Sequence, residues 1–283
     1  MFEEKQIKTL KTIGGKTRLL KVLLPIIRYI CRTHEINSFL DLFGGGNKFI
    51  PQLNKKVVPF RLYNELDNGI SNVMACLSDW GIARQLVDLT WELQKTIKTK
   101  KDFEEAREKK RSEDTPMIES AALTILIQEY SRAADRKSFC MQNAERGISY
   151  ESLVRYKELV PLLQDVVITQ TDYKFFIEEY GHRSDFLAIL DPPYVDSDIY
   201  EDLFPRWKHE EMVRLIEKSK MKIILCGTDN DIYKYLSVEK GWNKYYVGDI
   251  PKNSAAISGE KQPEFIWTNV KIPLYLLPKQ IKK

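Results

Sequence analysis

The chain has 283 residues, 43% hydrophobic and 30% charged, with a formal net charge of +4. That length and apolar share suit one large α/β domain or two modest ones, and so small a positive charge does not by itself argue for a polyanionic partner. Cys31, Cys76, Cys140 and Cys226 are scattered without a CxxC pair, and only His34, His182 and His209 accompany them, so no metal site is expected. Met1-Phe2-Glu3-Glu4-Lys5 does not read as a signal peptide, and no apolar run approaches membrane-spanning length. A cytoplasmic protein with reduced thiols and no membrane partner is expected.

In chain order, Gly14-Gly15-Lys16 makes a glycine turn with a cation just before a helix, without the GxxxxGK[ST] spacing of a phosphate loop. Residues 18 to 33 return Leu19, Leu20, Leu23, Ile26, Ile27 and Ile30 at helical spacing, with Pro25 expected to kink the helix. Ser38-Phe39-Leu40-Asp41-Leu42 reads as a short buried strand, followed at once by Phe43-Gly44-Gly45-Gly46, with a helix expected from near Lys48. Three glycines permit positive φ and close approach of a ligand to the backbone. They lack the GxGxxG spacing, which disfavours a nicotinamide dehydrogenase. Asp41 at the strand tip suits a cationic or amine-bearing group better than a pyrophosphate. A second strand, Arg61-Leu62-Tyr63-Asn64, runs into Glu65, about 20 residues past the glycines, where a ribose-binding acid belongs in a dinucleotide-type fold.

From Ile70 to Trp91 the apolar pattern is helical, and residues 95 to 115 are a mixed charge run expected to be a solvated helix or linker. Residues 120 to 130 read as helix and 131 to 150 as polar and irregular. Strand signals return at Val166-Val167-Ile168, in the run into Asp191, and at Lys222 to Cys226. Cys226 lies in an apolar run and reads as core, not as a nucleophile. Tyr245-Tyr246-Val247 and Phe265-Ile266-Trp267 follow without a long helix between them, as an antiparallel hairpin at the end of a sheet would. The expected fold is α/β: a Rossmann-like, mostly parallel sheet with an antiparallel last strand and a mainly helical insertion. The boundaries are 1–75 and 164–283 for the catalytic, cofactor-binding domain and 76–163 for the insertion.

Asp191-Pro192-Pro193-Tyr194 follows the apolar run Phe186-Leu187-Ala188-Ile189-Leu190. Two prolines in succession cannot continue a central strand, because each lacks the N–H that the ladder needs. An acid and an aromatic are therefore held at a strand's carboxyl end, the edge where open α/β sheets bind ligands. A carboxylate, a stiff turn presenting carbonyls and a flat ring suit a planar base that carries an amino group.

Lys11-Thr12-Ile13-Gly14-Gly15-Lys16, Asp41 to Gly46, Asn64-Glu65, Asp172-Tyr173 and Asp191 to Tyr194 occur in one order. In that set and order the chain resembles the Dam-type family of S-adenosylmethionine-dependent DNA adenine-N6 methyltransferases, the α group, with the target-recognition segment before the DPPY motif. The final strand, Glu264 to Asn269, is similar too, and only about 76 to 150 falls outside the resemblance. It implies that Gly14, Gly15 and Lys16 hold the methionine end of the cofactor. Asp41 would face its amino group, Phe43, Gly44, Gly45 and Gly46 would line methionine and ribose, and Glu65 would take the ribose hydroxyls. Asp172 would bind the cofactor's adenine with Tyr173 against the ring. Asp191 and the Pro192 carbonyl would orient the target amine, with Pro193 stiffening the turn and Tyr194 stacking on the flipped base. Thr12-Ile13 stands where members often carry an aromatic, and three glycines followed by Asn47 stand where a Gly-x-Gly-like turn is common.

The implied partner is double-stranded DNA, together with a cognate restriction nuclease acting on the same site. The insertion's charge does not show DNA binding, because 76–163 holds 15 Lys+Arg against 15 Asp+Glu. Within it Arg132, Arg136, Lys137, Asn143 and Arg146 are the DNA-reading candidates, since Arg reads guanine and Asn reads adenine through paired hydrogen bonds. Lys208, Lys252 and Lys261 are candidates for phosphate contacts, and 251–262 for a loop near DNA. The competing readings are methylation of another planar amine (cytosine N4, an RNA adenine or a protein glutamine) and a catalytically silent DNA-binding regulator.

Overall fold

A computed structural model describes residues 9–10, 19–195, 204–251 and 260–278. In chain order the elements are α1 (Leu20–Thr33), β1 (Ser38–Asp41), β2 (Phe60–Asn64), α2 (Asn68–Cys76), α3 (Trp80–Leu93), α4 (Lys100–Arg111) and α5 (Met117–Tyr130). Then come α6 (Met141–Arg146), α7 (Tyr150–Val154), α8 (Val160–Leu163), β3 (Val167–Thr169), α9 (Tyr173–Tyr180) and β4 (Phe186–Leu190). The last are α10 (Arg206–Ile216), β5 (Lys222–Gly227), α11 (Asp231–Glu239), β6 (Asn243–Pro251) and β7 (Lys261–Thr268). The fold is mixed α/β, with parallel strand pairs followed by antiparallel ones at the end of the chain. Among the described residues, no helix is long and apolar enough to cross a membrane.

The chain divides into two compact units. The first contains Gly45–Asn47 and Glu65–Gln170; the second contains the described parts of Lys16–Gly44, Lys48–Asn64 and Thr171–Lys283. The helical stretch expected at 76–163 thus lies inside a unit that begins earlier and ends later.

In the second unit β1 pairs in parallel with β2 on one side and β4 on the other, and β4 pairs in parallel with β5. β7 runs antiparallel to both β5 and β6, so the strands of this unit lie in the order 2-1-4-5-7-6. Both faces of the central strands are covered. Every residue of β4 is buried, as are Ile223, Ile224, Leu225 and Cys226 of β5. That is why both segments read as unbroken apolar runs without alternation. One face forms a core of Leu40, Ala188, Leu190, Ile223, Leu225 and Trp267 with Phe176 and Ile177 of α9, Met212 and Ile216 of α10 and Leu236 of α11.

The first unit is built around α5, whose residues from Ser120 to Gln128 are all buried, as expected of a helix apolar all round its axis. The run from Ile70 to Trp91 is two helices. Asp79 accepts from the Ile82 amide and so starts α3 afresh. In the charge run, Thr99 and Asp102 form a reciprocal capping box that starts α4. The stretch 131–150 is more regular than expected. It holds a 3-10 turn at Arg132–Ala134, α6 and the start of α7, with an isolated antiparallel bridge between Ser131 and Phe139.

The helix expected after the glycines is a single 3-10 turn, Ile50–Gln52. Pro51 suits its first turn, but the polar Asn54-Lys55-Lys56 that follows offers no apolar face to extend it. Through Pro25, α1 continues as one helix. All four cysteines are free, and burial pushes the Cys31 and Cys76 thiols up to about 11 and about 12.

Candidate functional site: two strand ends and a carboxylate brace

In the second unit, β1 has β2 on one flank and β4 on the other, so the connections leave it in opposite directions. The crevice outside the carboxyl ends of such strands is where α/β sheets take ligands. Asp41 stands opposite Ile189 in the ladder, and the Leu42 amide donates to the Ile189 carbonyl at 3.1 Å. Asp41 is 1% exposed. Two residues beyond Ile189, the strand stops at Asp191 and the two prolines. Asp191 and Pro193 are half-buried, while Pro192 and Tyr194 are buried. The Tyr194 hydroxyl donates to Oε2 of Glu264 at 3.2 Å, and Glu264 of β7 is fully buried. The antiparallel strand thereby supplies the carboxylate that fixes the tyrosine of the turn.

Asn64 at the end of β2 is a bracket. Its Oδ1 accepts from the Thr171 amide at 2.9 Å, while its Nδ2 donates to the Thr171 carbonyl at 2.8 Å and the Leu42 carbonyl at 3.2 Å. Its own carbonyl accepts from the Gly44 amide at 2.8 Å. One side chain thus ties the segment entering Asp172 to the segment entering the glycine turn. Gly44 must lack a side chain, because a Cβ would sit 2.2 Å from the Tyr63 ring. Phe43 stacks on Tyr173 with ring centroids 5.3 Å apart, and Phe204 closes the group at 5.5 Å from Phe43. Tyr173 is buried and its hydroxyl donates to the Lys208 carbonyl at 3.2 Å. Its ring is a packing partner of Phe43 and Phe204 and is not open to solvent. Asp172 is exposed and caps α9 by accepting from the Lys174 amide.

In the first unit, Gly45 has φ 46°, and its amide donates to Oε2 of Glu65 at 2.8 Å. Oε1 of the same carboxylate accepts from the Asp67 amide at 2.9 Å. Burial raises the Glu65 carboxyl above its usual range, against the pull of these two amides. Asp67 points the other way. Its Oδ1 caps α2 by accepting from the Ile70 amide at 2.9 Å, and its Oδ2 takes Arg136 at 2.5 Å and Lys110 at 3.2 Å. The three side chains are 7%, 13% and 7% exposed. Burial alone would raise the Asp67 carboxyl, but Arg136, Lys110 and the Ile70 amide hold it at about 2. Gly69 makes room for the lysine, since a Cβ there would lie 2.4 Å from Lys110 Cε and 2.2 Å from Thr124 Oγ1.

Of the DNA-reading candidates, Arg132, Lys137 and Arg146 are exposed. Arg136 is turned inward onto Asp67, where the buried carboxylate outcompetes solvent for its guanidinium. Asn143 spends its Nδ2 on the Ser131 carbonyl at 3.2 Å and its Oδ1 on Arg146. Lys208 is half-buried beside Phe204 and Trp207, and Lys261 is exposed at the start of β7. Gly14, Gly15, Lys16, Lys252 and most of the 251–262 loop lie outside the described residues.

The sequence pointed to no site role for Asp67 or Lys110, and it showed Glu264 only as the first residue of a similar final strand. Glu264 carried a signal, as a lone acid leading the final apolar strand; Asp67 showed only the ordinary look of a helix cap. Nor did it point to one for Lys48, directly after the turn, where burial pushes the amine down to about 8. No metal-ligating cluster is present among the described residues. The chain matches no known protein-family model and no curated protein, so the resemblance rests on the five motifs themselves.

Proposed function

We propose that this chain transfers a methyl group from S-adenosylmethionine to the N6 amino group of an adenine flipped out of double-stranded DNA. The observation that carries the reading is the position of Asp191-Pro192-Pro193-Tyr194 at the carboxyl end of β4, beside the β1 end that leads into the glycines. The α/β architecture supports a Rossmann-like methyltransferase sheet, because the order 2-1-4-5-7-6 with one reversed strand places both motifs at the switch point.

The residues fit the cofactor. When bound, S-adenosylmethionine supplies an electrophilic methyl group on a sulfonium. Asp41 and Asp172 offer carboxylate acceptors for its ammonium and its adenine amine, and Gly44 allows close backbone approach.

The adenine amine is a weak nucleophile, because its lone pair is delocalised into the ring. Asp191 and the Pro192 carbonyl accept its two N–H groups and favour a pyramidal nitrogen with the lone pair free. Holding that nitrogen in line is the main work of the site. Extruding the base costs roughly a few kcal/mol. Stacking on Tyr194 returns about 1–3 kcal/mol, with the ring angle set by Glu264.

The test is direct. Unmethylated duplex DNA is incubated with the protein and S-adenosylmethionine, digested to nucleosides and analysed by mass spectrometry. N6-methyladenine is the expected product. N4-methylcytosine alone, or no product from a protein that binds DNA, overturns the proposal.

A further inference from the structure

The segment Glu65-Leu66-Asp67 carries two carboxylates aimed at different turns. Glu65 holds the Gly45 amide and, through its other oxygen, the Asp67 amide. Asp67 holds Arg136, the centre of the 131–139 turn, and Lys110 of α4. That turn is under conformational load. Ala134 and Arg136 have φ of 59° and 58°, a region that side chains other than glycine rarely adopt. Such backbone persists only where the surroundings over-determine it. Here they do: the Arg136 amide donates to Ser131 Oγ at 3.1 Å, the Arg132 amide to the Ser138 carbonyl at 3.1 Å, and the Cys140 amide to the Tyr130 carbonyl at 2.8 Å. The guanidinium on Asp67 adds a charged, buried tie.

We propose that Asp67 is a positioning residue that couples the glycine turn to the 131–139 turn, with Arg136 as its anchor on the far side. Arg136 then does not read a base; it sets the frame from which exposed Arg132 and Lys137 work. Naming these turns as cofactor and recognition segments rests on the methyltransferase reading, whereas the mechanical coupling does not. A ligand drawing on Glu65 would be felt at Arg136 through the Asp67 amide, and a duplex that displaced Arg136 would be felt at Gly45. Such linkage is reciprocal.

Hydrogen–deuterium exchange on the full chain tests the coupling without any ligand. Asp67→Asn keeps the α2 cap, because asparagine caps as well as aspartate, but removes the anion. Arg136→Gln removes only the far anchor, and Arg136→Lys restores its charge. In both Asp67→Asn and Arg136→Gln, exchange at 45–47 and at 131–139 should quicken together by at least about fivefold, the low end of measured site-to-site coupling. The 223–227 amides of β5 should not change, and Arg136→Lys should recover most of the protection. Faster exchange at 131–139 alone overturns the coupling. A uniform increase overturns it too, by reducing Asp67 to a general staple; if Asp67→Asn fails to fold, the Arg136 pair decides. S-adenosylhomocysteine titrated into the wild-type chain separates the two readings, since failure to bind it counts against the methyltransferase and leaves the exchange result standing.

Discussion

At the carboxyl end of β4, position is set by backbone. Ladder register with β1, two prolines and the Asn64 bracket set the ends of β1 and β4 through uncharged groups. In the first unit, position is set by charge. One carboxylate, Asp67, holds two cations from segments 43 and 69 residues away in sequence. The first kind of construction rests mainly on backbone and amide groups that do not titrate. The second depends on ionisation, and a buried pair of this kind costs most when one member is removed.

The largest test of that contrast is Asp191→Ala. If backbone alone positions the strand end, the substitution leaves the fold and S-adenosylmethionine binding measurable while methyl transfer falls by about a thousandfold or more, the upper range for losing one preorganised polar group. Near-normal turnover would sink the assignment of Asp191. Gly69→Ala probes the other construction. Alanine is the better helix former by about 0.5–1 kcal/mol, yet its Cβ would lie within 2.4 Å of Lys110 and Thr124 side-chain atoms. Crowding and the lost approach of Lys110 to Asp67 should outweigh propensity and destabilise by about 3 kcal/mol in urea unfolding. A neutral or stabilising result would show that Lys110 reaches Asp67 by another route.

Acid stability should fall next. Asp67 is held at about 2 against an ordinary 3.8. At about 1.4 kcal/mol per unit this amounts to about 2 kcal/mol. The sign follows from the depressed value: the contribution is whole above pH about 4 and is lost as pH falls towards 2. Glu65, raised by burial, changes the opposite way and favours the folded chain as it protonates. Urea midpoints at pH 6 and pH 2.5 should therefore drop further in the wild type than in Asp67→Asn. Equal drops would mean that Arg136 and Lys110 do not depress Asp67.

The same contrast explains what was legible in the sequence. β4 and β5 announced themselves as apolar runs because both faces are buried, and the prolines marked where β4 ends. The final hairpin was visible because the sequence between its strands is too short and too polar to carry a long helical apolar pattern. Asn64 was visible as a motif member but not as a bracket, since its partners Leu42 and Thr171 come from other segments. Arg136 looked like a DNA reader because composition cannot show that Asp67, 69 residues earlier, claims it. The split at Asp79 and the capping box at Thr99 were written in local sequence, but an apolar period and a charge run masked them.

The smallest effect expected is the finest probe of the β4 turn. Tyr194→Phe keeps the ring and deletes the hydroxyl that donates to Glu264 at 3.2 Å. A lost hydrogen bond to a buried partner costs about 1 kcal/mol or somewhat more, so the thermal midpoint should fall by a few degrees. Turnover on DNA should then fall several-fold as the ring loses its tether, with S-adenosylhomocysteine affinity unchanged. Tyr194→Ala should lose far more DNA turnover than cofactor affinity, because it removes the stacking face as well. If the Phe and Ala variants lose turnover equally, the hydroxyl carries the whole role, and Tyr194 acts through Glu264 and not through the base.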